Sequence, residues 1–159
     1  MSRWINAALA IVVLALSVVL WIALPPSDPP KHKAGSVVKV INGPGHGSGT
    51  HIGNGYILTA AHVIRDSDDV EILTDTGRKT KASVLWVNKA YDVALLRDES
   101  MRAKVSPLAC RAIPEGAPVT LIGNPADVEF VQVQASIAGK ARPYSRWGSV
   151  VVVSGAIVP

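Results

Sequence analysis

The sequence predicts an all-β domain carried behind a separate apolar helix. Three features carry that expectation. From Ser36 onward the chain is a series of short runs rich in Val, Ile, Leu and Thr, each bounded by Gly, Pro, Asn or Asp. No extended stretch of helical periodicity interrupts them. Ahead of them, Ala7 to Leu24 is a run of 18 residues in which Ser17 alone is polar.

Residues 1–6 form a short flank, and residues 7–24 are predicted to be a transmembrane helix. At about 1.5 Å per residue such a helix spans ~27 Å, close to the hydrocarbon thickness of a bilayer. Trp4 and Trp21 lie near its ends, where amphipathic rings favour the interface. A cleaved secretory signal is the alternative. Signals carry an apolar stretch of roughly 7–15 residues and a small-x-small site. This run is longer and leads into Leu24-Pro25-Pro26 without Ala-x-Ala, which favours an uncleaved signal anchor. Arg3 argues for a cytoplasmic amino terminus, which places the body of the protein outside the cytoplasm, whereas Lys31 and Lys33 on the far flank weaken the bias.

Residues 25–35 read as a spacer, since "PPSDPPKHK" holds four prolines in nine residues and has no apolar periodicity. The domain proper is expected over 36–159. Its expected strands are "SVVKVIN", "GYILT", "DVEILT", "KASVLWVN", "VALLR", "APVTLIG", "VEFVQVQASIAG" and "SVVVVSG". Between the first two, the stretch rich in glycine and small polar residues reads as a loop. Ala60 to Ile64 is expected to make one helical turn capped by Thr59.

Composition excludes several classes of function. The net charge is +4, and removing Arg3, Lys31, Lys33 and Asp28 leaves 13 basic against 11 acidic residues, a net of +2 for the domain. That balance, with no interleaving of basic and aromatic residues, gives no nucleic-acid surface. Cys110 is the single cysteine, so an internal disulfide and a cysteine zinc site are both excluded.

The candidate chemistry centres on His62 and Asp92. Tyr56 to Thr59 delivers the chain into a tight turn, where Ala60 and Ala61 leave room around the imidazole, the kind of fixed and partly open seat a base requires. Asp92 heads "DVALLR", whose Val93 to Leu96 is apolar without alternation and is expected to be buried on both faces. An aspartate leading into such a strand is drawn toward the interior and needs a hydrogen-bonding or charged partner. A surface histidine and an ordinary strand-start aspartate are the bland alternatives.

Taken together, "GSGTHIGNGYILTAAHV" and the later "YDVALL" resemble the first barrel of trypsin-like (chymotrypsin-fold) serine proteases, most closely the disulfide-free bacterial HtrA/Deg type. "GAPVTLIGNP", residues 116–125, is similar to the strand that begins the second barrel of that family. The resemblance covers roughly residues 36–159. It implies a double β-barrel, the first complete and the second partial, a protein or peptide substrate and no cofactor. It also implies catalytic roles for His62 as general base and Asp92 as its orienter.

The departure from the family lies at the nucleophile. The family's serine sits in a Gly-Asn/Asp-Ser-Gly-Gly loop that also builds the oxyanion hole, and no such loop occurs among the 159 residues, which close with "SVVVVSGAIVP". The expectation is a chain truncated just before its serine and inactive as it stands. Ser149 and Ser154 adjoin glycines but lie in strand-like runs without an exposing loop, and Ser48 matches a structural position. A cluster of His46, His51 and His62 matches no zinc spacing, and "RDSDDVE" lacks the glycine-turned calcium loop. The competing class is a non-catalytic, membrane-tethered module that binds a peptide or partner through an open sheet edge. Oligomeric state has no signature in the sequence.

Overall fold

The computed structural model describes residues 34–143 and 149–155, all within the unit that spans residues 33–159. The expected transmembrane helix at 7–24, and most of the spacer, lie outside the described residues. Among the described residues no helix is long and apolar enough to cross a membrane.

A short 3-10 turn, Ala34–Ser36, leads into β1 (Val37–Asn42), β2 (Gly45–Gly53) and β3 (Tyr56–Thr59). One turn of helix, α1 (Ala61–Ile64), follows, then β4 (Asp69–Thr74), β5 (Lys79–Asn88) and β6 (Val93–Arg97). These six strands close into an antiparallel barrel of order β1-β2-β3-β6-β5-β4, with β4 returning to β1. Closure removes every edge. Val38, Val40, Ile57, Ile64, Ile72, Ala94 and Leu96 are fully buried at its centre. A linker then leads to β7 (Pro118–Gly123), β8 (Val131–Pro143) and β9 (Ser149–Gly155), a three-stranded antiparallel sheet of order β7-β8-β9.

Four local expectations are corrected. The glycine-rich stretch is not a loop but the nine-residue β2, paired with both β1 and β3. Two of its glycines are there for clearance: a Cβ on Gly47 would stand 2.4 Å from Val63 Cγ2, and one on Gly49 2.8 Å from Ile57 Cγ2. Poor strand propensity gives way to close packing across the barrel. Thr59 does not cap α1, whose N-cap is Ala60 without a side-chain bond. The Thr59 hydroxyl donates instead to the Ser48 carbonyl at 2.9 Å. β6 is not buried on both faces, since only Ala94 and Leu96 point to the core while Val93 and Leu95 are half-buried. β8 begins at Val131, not Val128, because Asn124 Oδ1 accepts the Phe130 N–H at 2.9 Å and holds the preceding residues in a turn.

The β2–β3 hairpin turns on Asn54 and Gly55, with φ of 50° and 75°, the two positive values a type I′ turn requires. Barrel and sheet are joined through buried Asn124. Its N–H donates to Ser48 Oγ at 2.8 Å, and its Nδ2 reaches Ser48 Oγ and the Val38 carbonyl, both at 3.3 Å. Gly123 permits the approach, since a Cβ there would lie 3.1 Å from Ser48 Oγ.

Candidate active site

His62 is the second residue of α1, directly after β3, and Asp92 directly precedes β6. β3 and β6 are hydrogen-bonded neighbours, with Thr59 opposite Ala94. Two residues 30 apart in sequence are therefore carried by the same end of one strand pair. The His62 N–H donates to Asp92 Oδ1 at 2.9 Å, and His62 Nδ1 lies 2.7 Å from Asp92 Oδ2. One carboxylate thus holds both the main chain and the ring of the same histidine. Because an ionised carboxylate only accepts, the proton of the neutral ring sits on Nδ1. The imidazole is 72% exposed and the Asp92 side chain 19%, so the carboxylate is partly withdrawn and the ring's other edge, Nε2, faces outward.

Burial pushes the Asp92 carboxyl upward. The hydrogen bonds from the His62 N–H and its ring, the imidazole charge and the Ala61 N–H outweigh that effect and leave the carboxyl below its ordinary value. Asp92 is held by its own turn as well. Its φ is 55°, a left-handed conformation that aspartate tolerates better than most residues. Asn88 Oδ1 accepts the N–H groups of Ala90 and Tyr91 at 3.0 and 3.1 Å and shapes the bend leading to it.

The remaining candidates fall elsewhere. His51 is buried, with Nε2 accepting the Gly55 N–H at 3.2 Å and Nδ1 donating to the carbonyls of Lys104 at 2.9 Å and Ala103 at 3.1 Å. Both ring nitrogens are engaged by main chain, so this histidine pins the hairpin to the segment after β6. His46 lies on β2 opposite Ile41. Ser48 is the hydroxyl that receives Asn124. Ser154 is a strand residue of β9, opposite Ser136, and Ser149 pairs with Pro143 at the other end of that strand. Asp66, in the turn after α1, pairs with Lys89 at 2.9 Å on the open surface.

Beside the pair, one residue escaped the sequence reading. Asn42, the last residue of β1, donates through Nδ2 to the carbonyls of Val63 and Ile64. In sequence it closes the expected strand "SVVKVIN" ahead of Gly43-Pro44, and nothing there marks its amide.

A closed barrel that sets a histidine against a carboxylate at its rim, followed by a second antiparallel sheet, defines the serine-protease class of fold. Residues 47–159 match the family described as "Trypsin-like peptidase domain", and the chain belongs to that family. The Serine protease Do-like HtrA of Lactococcus lactis subsp. lactis (strain IL1403) is 31% identical over 80 residues, which cover 49% of this chain and 20% of that protein. The Serine protease HtrA-like of Staphylococcus aureus (strain USA300) is 30% identical over 78 residues, 47% of this chain and 10% of that protein. The crystal structure of the serine endoprotease from Yersinia pestis aligns with a TM-score of 0.64 at 25% identity, covering 80% of this chain and 55% of that one. The match thus takes in a fifth or less of the length of these curated relatives.

Proposed function

We propose that this chain carries the base and its orienting carboxylate of a membrane-anchored, trypsin-like serine endopeptidase. The observation that carries the proposal is the double attachment of His62 to Asp92, 2.9 Å at the main chain and 2.7 Å at the ring. With Nδ1–H committed to the carboxylate, Nε2 is the lone pair left to accept a serine hydroxyl proton. Imidazole is the side chain suited to take and return a proton in that exchange at neutral pH. The serine oxygen then bonds to the peptide carbonyl carbon, and Asp92 stabilises the imidazolium so formed. Collapse of the tetrahedral adduct breaks the C–N bond while Nε2–H protonates the departing amine. Water, deprotonated by the same nitrogen, releases the acyl group and regenerates the hydroxyl. No metal or cofactor enters this sequence.

The mechanism takes its nucleophile from a Gly-x-Ser-Gly-Gly loop, a motif that does not occur among these 159 residues. Residues 7–24 would tether the domain to a membrane on its extracytoplasmic side, a reading supported by the length of the apolar run and by Arg3. The second reading, a tethered binding module, draws support from the open edges of the β7-β8-β9 sheet among the described residues.

The test is a peptidase assay on this chain beside one extended through its own downstream reading frame. The extended chain is expected to cleave peptides, and Asp92→Asn is expected to lower its kcat by about 10⁴, with His62→Ala at least as damaging. An extended chain that supplies no serine loop and cleaves nothing would leave the binding module in possession.

A further inference from the structure

A helix of one turn meets the cost of nucleation without the return of propagation, so its geometry must be imposed from outside. α1 is such a helix, closed by the Arg65 N–H to the Ala61 carbonyl at 3.0 Å. Its first turn is held by Asp92 through the His62 N–H. Its last carbonyls have no partner within the helix. Asn42 supplies one: Nδ2 donates to the Val63 carbonyl at 3.1 Å and to the Ile64 carbonyl at 2.7 Å. The orientation of that amide is fixed in turn, because the Ser67 hydroxyl donates to Asn42 Oδ1 at 2.9 Å. Asn42 itself is set in the barrel wall, opposite Gly45 and hydrogen-bonded within β1 and β2. Val63 meanwhile rests in the space left by the missing side chain of Gly47.

We infer that Asn42 is a positioning residue for His62: by clamping the carbonyl end of α1 it fixes the backbone from which the imidazole meets Asp92 and presents Nε2. This rests on the proteolytic reading for its purpose, though not for its geometry. An aspartate of equal size would turn oxygen toward two carbonyls, and an alanine would withdraw the side-chain donor from both, leaving the Ile64 carbonyl the Ser67 N–H at 3.2 Å.

The experiment follows exchange of the His62 Nδ1 proton and the Arg65 amide proton by NMR in the full isotope-labelled chain, with Asp92→Asn as reference. The Nδ1 proton is expected to be slowly exchanging in the parent and lost in the reference. In Asn42→Ala and Asn42→Asp both protons should exchange faster by about tenfold or more, the scale of one hydrogen bond, while amides of β1 and β6 keep their protection. If the His62 and Arg65 protons accelerate no more than the barrel amides, Asn42 merely stabilises the fold and the inference is overturned. Should neither Asn42 variant fold, Ser67→Ala decides: it frees the amide to rotate, so faster Nδ1 exchange in a folded chain supports the clamp and unchanged exchange overturns it. Indifference of the proton to Asp92→Asn would break the His62–Asp92 pair itself; sensitivity to Asp92 with indifference to Asn42 breaks only the clamp.

Discussion

The barrel and the three-stranded sheet are built from runs of similar composition, yet they bury them very differently. In the barrel each strand has two hydrogen-bonded neighbours, and alternate residues of β1, β4 and β6 are shielded completely. In the sheet β7 is half-buried along nearly its whole length, and Ile137 is the one buried apolar side chain from residue 118 onward among the described residues. Its apolar face opens on a cleft edged by Leu121, Ile122, Val131 and Val133, with Ser48 across from them. Val151 and Val152 on β9 are exposed. What separates the two regions is closure rather than composition. A sheet closed on itself makes its own interior, while an open one must find it elsewhere. His62 and Asp92 both stand on the closed part, where their strands are fixed from two sides.

The sharpest way to break this contrast is to empty equivalent positions. Leu96→Ala removes a fully buried side chain and is expected to cost about 2–5 kcal/mol. Val133→Ala, at the half-buried face of β8, is expected to cost less than ~1 kcal/mol. Denaturant unfolding of the two variants reads the difference, and equal losses would erase the distinction. The next largest effect concerns the joint. Asn124→Ala removes the two side-chain donor contacts from sheet to barrel and the acceptor of the Phe130 N–H, while its main-chain bond to Ser48 remains, and should destabilise by roughly 1–3 kcal/mol. Hydrogen exchange should rise in β7 and β8 first, with β1 and β6 little changed. Uniform loosening of both regions would mean that they fold as one unit.

Legibility from sequence follows the same divide. A strand whose burial is imposed by periodicity, such as "DVEILT", stands where the pattern puts it, whereas "VALLR" forms the expected strand but buries only alternate residues. β2 reads as a loop because two of its glycines, Gly47 and Gly49, answer to Val63 and Ile57, side chains brought close by folding whose approach has no local signature. Thr59 carried the chemistry of a helix cap, but the neighbouring β2 carbonyl competed for its hydroxyl and won. The histidine and the aspartate were visible as a spaced pair, since each lies beside a strand with a recognisable pattern. Asn42 and Asn124 were not visible. An asparagine near glycine and proline suggests a turn, and only the folded chain shows which carbonyls its amide reaches.

A smaller effect probes the pair itself through pH. The Asp92 carboxyl titrates below its unfolded value, which is near ~3.9. The stability it contributes is therefore fully present above that value and is lost as pH falls through the folded pKa. The gap in melting temperature between the parent and Asp92→Asn should close as pH falls below about 4. A gap that widened in acid would reverse the sign of the interaction.

The imidazole of His62 offers the most direct measurement. A nitrogen NMR spectrum of the full chain at a pH where the ring is neutral reports which ring nitrogen holds the proton. With Asp92 Oδ2 at 2.7 Å from Nδ1, the expected result is the Nδ1–H tautomer, with Nε2 bare and the preference lost in Asp92→Asn. A parent ring protonated on Nε2, or one with the same tautomer mixture in both proteins, would contradict the arrangement on which the proteolytic reading stands.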